Sequence, residues 1–301
     1  MKRIIAALSA ATVLLAGCNQ YDKTPSGVKY KITKGGSTQT LKNGQFIKFN
    51  VEYRMSGKDS VISSTFDRVP GFTRVDTTRV PKHSFQELLA QLAPGDKVEF
   101  VLSVDSLKKL GYLDYNQQFH ARDMIKGRAE ILKVFPTEAD IKADVDKEMN
   151  LEKGREIKDV QAWASKKNLK TQSVPSGVLV VVDNPGEGPK PDTGWVVKLL
   201  YRGSLPSGKE FDSNMDPKNP NNQPLVVTIG AHGVIQGLED GLMLFGKGGK
   251  GKVLIPALLG YGPGGNPPVI PPYSNMVFDV EILDVAPAAP APKTAPAPQK
   301  K

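Results

Sequence analysis

The chain has a single cysteine in 301 residues, Cys18, so no disulfide can form within it and the fold must rest on a packed core. Histidine is almost as scarce. His83, His120 and His232 share no ligand spacing, which leaves metal centres and histidine-dependent triads without a motif. No apolar run reaches the roughly 20 residues that a membrane-spanning helix requires; the run from Ile4 to Ala16 falls short of it. No basic run is interleaved with aromatics, which make up only 7% of the chain. Of the net charge of +9, Lys2 and Arg3 near the start and Lys293, Lys300 and Lys301 in the last segment supply five, leaving +4 for the body. Nucleic acid is therefore not an expected partner. Two glycine patterns imitate a dinucleotide fingerprint and fail on context. Gly246-x-Gly248-x-x-Gly251 leads from a helix into a strand, the reverse of the required order, and Gly260-x-Gly262-x-x-Gly265 runs into prolines. Neither a cofactor nor a metal is expected.

What is present describes a globular protein of about two domains, with 39% hydrophobic and 24% charged residues. Lys2-Arg3 followed by the apolar run is the layout of a signal peptide. The run ends in Leu15-Ala16-Gly17-Cys18, which resembles the bacterial lipobox. That resemblance implies cleavage after residue 17 and attachment of acyl chains, palmitate among them, to Cys18. Each buried methylene contributes about 0.8 kcal/mol, so several chains anchor firmly. Asn19 stands where an aspartate would favour the inner membrane, so the expected location is the cell envelope, lipid-anchored at the outer membrane.

Internal repetition comes next. Pro25-Ser26-Gly27-Val28 returns 150 residues later as Pro175-Ser176-Gly177-Val178. Tyr53-Arg54 parallels Tyr201-Arg202, Phe66-Asp67 parallels Phe211-Asp212, and the run Ala129 to Val134 parallels Val280 to Val285. Each half reads as strands with one short helix: Ser84 to Leu92, where Ser84 and Glu87 form a capping-box pattern, and Ile235 to Phe245. Between the halves, Thr137-x-x-Asp140 starts a helix with Ile141, Val145 and Met149 on one face, which Gly154 is expected to interrupt. A solvated connector is the first reading and a dimerising helix pair the second, so oligomeric state stays open. The expected divisions are 1–17 signal peptide, 18–26 tether, 27–135 first domain, 136–172 connector, 173–286 second domain and 287–301 an alanine- and proline-rich tail.

The second half carries an ordered set of motifs: Val197 to Tyr201, Gly208-Lys209-Glu210-Phe211-Asp212-Ser213, Val234-Ile235-Gln236-Gly237-Leu238-Glu239-Asp240-Gly241, Gly260-Tyr261-Gly262, Val269-Ile270-Pro271-Pro272 and Val277 to Leu283. Together they resemble the FKBP-type peptidyl-prolyl cis/trans isomerases. The resemblance implies an α+β fold of two FKBP-like domains, each an antiparallel sheet curled around a short helix. It implies catalytic roles for Tyr201, Phe211, Asp212, Ile235, Tyr261 and Phe278, and substrate binding by Leu225, Val227, Val234, Leu238, Val269 and Ile270. Turning an X–Pro bond breaks no covalent bond; amide resonance sets a barrier of roughly 18–20 kcal/mol. An apolar pocket that withholds solvation from the planar amide can lower it without a nucleophile.

Leu238 replaces the family's usual tryptophan and Leu225 a usual phenylalanine, which implies a shallower floor and puts inhibitor binding in doubt. The loop between Phe211 and Leu225 is also longer and polar. The first half departs further. It has Ser84-Phe85-Gln86-Glu87 where the pocket helix should start, no Ile-Pro-Pro loop, and Gly127 in place of the terminal phenylalanine. The implied partners are proline-containing polypeptides and, through Cys18, the membrane. The implied function is isomerisation during folding of exported proteins; the competing reading is a non-catalytic chaperone or assembly factor that only binds such segments.

Overall fold

The computed structural model describes residues 21–57, 60–216 and 222–287. The segment expected to be a signal peptide, Cys18 and the residues beyond 287 lie outside the described residues. The chain divides into two compact units, Met1–Val145 and Asp146–Lys301.

In the first unit the strands are β1 (Asp22–Lys23), β2 (Lys29–Thr33), β3 (Phe46–Met55), β4 (Val61–Ser64), β5 (Gly71–Arg74), β6 (Lys97–Ser103) and β7 (Met124–Phe135). They form one antiparallel sheet in the order β1-β2-β6-β7-β3-β4, with β5 also on β3. A 3-10 helix, Phe85–Gln91, lays Phe85, Leu88 and Leu89 against Ile47, Val98, Phe100 and Ile131. The second unit repeats the plan with β8 (Gln172–Ser173), β9 (Leu179–Asn184), β10 (Trp195–Ser204), β11 (Glu210–Ser213), β12 (Leu225–Thr228), β13 (Lys250–Ile255) and β14 (Met276–Pro287). Its order is β8-β9-β13-β14-β10-β11, with β12 on β10. Strand for strand, the two sheets have the same topology, as the internal repeat foretells.

Three local expectations are corrected. The first unit holds a further helix, α1 (Val104–Lys109), where the sequence reading allows only one helix per half. Ser103 caps it, its hydroxyl accepting the Ser106 N–H at 3.4 Å. The capping box at Ser84 does not form. The Ser84 hydroxyl donates to the Pro81 carbonyl, while the Glu87 carboxylate accepts the His83 N–H at 2.6 Å and the Ser26 hydroxyl at 2.8 Å. Gly154 does not interrupt the connector, which runs as one helix, α2 (Glu138–Lys166). A glycine costs a helix interior about 1 kcal/mol. Contacts on the turns around it hold the helix continuous: Glu152 accepts from Arg155, Glu156 accepts the Leu258 N–H, and Val160 is buried.

The later part of α2 is not a solvated connector either. Val160, Trp163 and Ala164 pack on Leu179, Val181, Leu254 and Val277, the outward-facing residues of β9, β13 and β14. The Trp163 indole donates to the Pro206 carbonyl at 3.0 Å, and the Glu156 carboxylate accepts the Leu258 N–H at 2.8 Å. This explains a sequence contrast. Val253-Leu254-Ile255 is apolar without alternation because both its faces are covered, whereas Lys97-Val98-Glu99-Phe100 in β6 alternates around a single buried face. In the second unit the other face holds Val197, Leu199, Val253, Ile255, Val280 and Ile282 against α3 (Gln236–Leu242).

Asp96 gives the first unit a pH-dependent hold. Its buried carboxylate accepts from the Lys34 ammonium (2.9 Å) and from the N–H groups of Gly35 (2.8 Å) and Ala93 (2.9 Å). Burial alone would raise its pKa, but these donors outweigh burial and hold it below the usual carboxylate value. A depressed folded-state pKa contributes stability above the unfolded value of about 3.9 and loses it as pH falls through the folded one. Asp96→Asn should therefore lower the urea midpoint of the first unit at pH 7 and flatten its decline on acidification below about pH 4. An unchanged midpoint at pH 7 would show that the carboxylate contributes nothing.

Candidate active site

The site is assembled at one end of β10 and β14. In their antiparallel register Gly203 of β10 stands opposite Phe278 of β14, and Gly203 also faces Asp212 of β11. A Cβ at Gly203 would lie 2.5 Å from the Phe211 ring and 3.1 Å from the Phe278 ring, so the missing side chain makes room for both aromatics. Phe211 meets Phe278 edge-on, with centroids 5.6 Å apart and planes at 75°. Tyr201, two residues before the glycine and so on the same face, sits 6.0 Å from Phe278 by ring centroid.

The polar part sits at the rim. The Tyr201 hydroxyl donates to Asp212 Oδ2 at 2.5 Å. Burial, the bond to Asp212 and its charge, together with nearby Tyr261, push the Tyr201 pKa well above the usual phenol value. The hydroxyl thus stays protonated and keeps Asp212 in one place. Tyr201 is itself fixed by Asn214, whose Oδ1 accepts the Tyr201 N–H at 2.6 Å while its Nδ2 donates to the carbonyls of Leu199 and Gln223.

Ile235 is the N-cap of α3, and its carbonyl accepts the Leu238 N–H at 3.0 Å. The loop after β13 brings Ile270 back into the apolar cluster and Tyr261 beside Tyr201. It closes on a bridge between Asn266 and Ile270 and turns at Gly265, where φ is +61° and a Cβ would lie 2.4 Å from the Ile270 carbonyl oxygen.

Nine of the twelve expected residues share one apolar cluster. Leu238, Val227 and Ile270, each 2% exposed, form a buried floor together with Phe278. Tyr201, Phe211, Leu225, Val234 and Ile235 are half-buried walls of the same apolar cluster. Asp212, Tyr261 and Val269 are exposed and do not join it; Asp212 is tied to it through its bond with Tyr201. Sequence reasoning missed Gly203 and Asn214. A glycine inside a strand of aromatic and β-branched residues was the available signal for the first; Asn214 gave none, because its partners are backbone atoms.

The model of the FKBP-type peptidyl-prolyl cis-trans isomerase family matches residues 188–283. Over 110 residues the chain is 38% identical to the FK506-binding protein of Neisseria meningitidis, covering 36% of this chain and 97% of that one. The chain belongs to the FKBP-type peptidyl-prolyl cis-trans isomerase family. It is also 39% identical over 150 residues to the FKBP-type isomerase FkpA of Escherichia coli K12, covering 50% of this chain and 52% of that protein, about half its length. The identity to mouse FKBP2 is 44% over 92 residues, covering 31% of this chain and 63% of that one.

Against this FKBP frame, the first unit keeps the fold and exchanges the site. Matching bulges, between Lys48 and Phe49 in β3 and between Lys198 and Leu199 in β10, bring Phe49 opposite Ile131 and Leu199 opposite Ile282. Counted from those anchors, Val51 occupies the place of Tyr201 and Tyr53 that of Gly203. Gly127, opposite Tyr53, occupies the place of Phe278. Ser63, opposite Tyr53, takes the place of Asp212. The sequence parallels drawn from Tyr53-Arg54 and Phe66-Asp67 are therefore corrected. A slip of two residues in a strand keeps every side chain on its face and so leaves no trace in the pattern. Phe66 lies beyond β4, 4.2 Å beneath the Arg128 guanidinium.

In the first unit the pocket space is filled by rings. Phe100 packs edge-on to Tyr53 at 5.7 Å and stacks on Phe85 at 5.6 Å. A Cβ on Gly127 would meet the Phe100 ring at 2.1 Å. Burial pushes the Tyr53 phenol up to about 12. Val51 and Ser63 cannot reproduce the Tyr201–Asp212 bond.

Proposed function

We propose that the second unit isomerises X–Pro bonds in exported polypeptides, tethered to the cell envelope through Cys18. The observation that carries this reading is the pair of crossed rings, Phe211 and Phe278, beside a carboxylate held by Tyr201. The proline ring sits against Phe211 and Phe278, over the floor of Leu238 and Ile270. Seated there, the amide loses the water that stabilises its planar, charge-separated form. As the bond twists, Asp212 faces the rotating carbonyl, and the Ile235 N–H and Tyr261 hydroxyl hold neighbouring substrate carbonyls. Each tenfold of rate needs about 1.4 kcal/mol, within reach of shape, desolvation and a few hydrogen bonds. Leu238 in the floor and Leu225 in the wall soften the pocket and favour varied sequences before proline over one tightly gripped ligand.

The test is a cis/trans assay on short X–Pro peptides with the full chain, beside Phe211→Ala and Asp212→Ala. A fragment starting at 173 would lack the α2 residues that cover Leu179, Val181, Leu254 and Val277. The full chain should accelerate isomerisation, with each variant losing about tenfold or more in kcat/KM. A wild-type rate equal to the uncatalysed one would remove the enzyme reading and leave binding of proline-containing segments.

A further inference from the structure

We infer that the first unit carries a second polypeptide-binding site, a groove for extended apolar segments that bear carboxylates. The groove encloses about 760 Å³ between the residues before β2, the segment leading into the 3-10 helix, and α1. Pro25, Val80, Ala90 and Leu110 give it an apolar lining, and Lys82 and Lys109 stand exposed beside them.

Which of its polar groups remain free decides what the groove can take. Glu87 is the one acid in the lining, and both its oxygens are engaged, by the His83 N–H and the Ser26 hydroxyl. Both His83 ring nitrogens are engaged as well: Nε2 accepts the Ser103 N–H at 2.8 Å, and Nδ1 donates to the Ser26 carbonyl at 3.1 Å. No convergent buried donors or acceptors are left to fix the orientation of a small molecule, as such sites require. The unspent features are apolar surface and two lysines, neither of which has an ion-pair partner among the described residues. That combination favours a chain segment over a compact ligand, and an acidic segment over a basic one. The site is separate from the isomerase pocket and does not depend on the isomerase reading. The first unit, with its prolyl pocket filled by Tyr53 and Phe100, binds through this other surface.

The experiment uses fluorescence anisotropy with the full chain. Its two probes are a proline-free nonapeptide alternating leucine and aspartate, and a twin with lysine replacing each aspartate. The acidic peptide should bind and the basic twin should not. The double charge reversal Lys82→Glu/Lys109→Glu should weaken binding tenfold or more, and Ala90→Trp, which fills the groove, should abolish it. Isomerisation of a short X–Pro peptide should be unchanged by the charge reversal. Should Ala90→Trp unfold the unit, the two surface lysines decide the matter alone. Equal binding of both peptides, binding indifferent to the lysine reversal, or displacement of the probe by a short X–Pro peptide would overturn the inference. So would capture of phosphatidylglycerol vesicles without any binding of the acidic peptide.

Discussion

Gly203→Val should lower kcat/KM for X–Pro isomerisation about a hundredfold, equivalent to about 2.7 kcal/mol of transition-state stabilisation, while the second unit stays folded. The added Cβ would stand 2.5 Å from the Phe211 ring and 3.1 Å from the Phe278 ring. Phe278 is 5% exposed and hemmed in by the core, whereas Phe211 is half-buried at the edge strand. The outer ring therefore gives way, swinging out and opening the crossed pair. Little core packing is lost by that movement, so the thermal midpoint should shift by only a few degrees, about 1 kcal/mol or less. The peptide assay and a melting curve on the same sample separate the two effects. Full activity in this variant would mean that the geometry of the ring pair is not what the reaction uses.

A glycine elsewhere in the same sheet should behave in the opposite way. Gly251 lies near the start of β13, opposite Val182 on one side and Val280 on the other. A Cβ there would come within 2.0 Å of the Val181 carbonyl oxygen and 2.9 Å of the Phe245 ring. The first obstacle is backbone inside a hydrogen-bonded sheet, and the second belongs to a fully buried ring. Neither can step aside, so Gly251→Val should cost the second unit about 4 kcal/mol or more, among the largest single-site effects. Urea unfolding followed by the fluorescence of Trp163 and Trp195, both in this unit, would read the loss directly. The first unit shows that the position itself does not forbid valine. Its counterpart in the sheet register is Val98, opposite Ile32 and Ala129 and fully accommodated. An unaltered urea midpoint would show that β9 can shift to take the extra carbon.

Most of the fold was legible because its signals are local. Alternation in β6, the repeat at Pro25 and Pro175, and the ordered motifs of the second half each report the sheet they belong to. The candidate site was legible where a residue type suggests a chemistry, as with Phe211, Asp212, Tyr261 and Phe278. It was not legible where a role depends on what stands opposite. Gly203 matters because of Phe278 on a strand more than seventy residues away in sequence. The parallel drawn through Tyr53 failed for the same reason, since only the bulge at Lys48 and Phe49 fixes the register of that strand. The continuity of α2 through Gly154 was hidden too, because it rests on packing beneath the helix and not on the residues within it.

The exchange of glycine and aromatic between facing strands bears on how such a pocket could be gained or lost in evolution. Placing phenylalanine at Gly127 alone would drive it into Phe100, and removing Tyr53 alone would leave a void in the first core. A tyrosine at Val51 without an acid at Ser63 would gain no partner. Converting one arrangement into the other therefore takes changes at facing positions together and not at one of them alone.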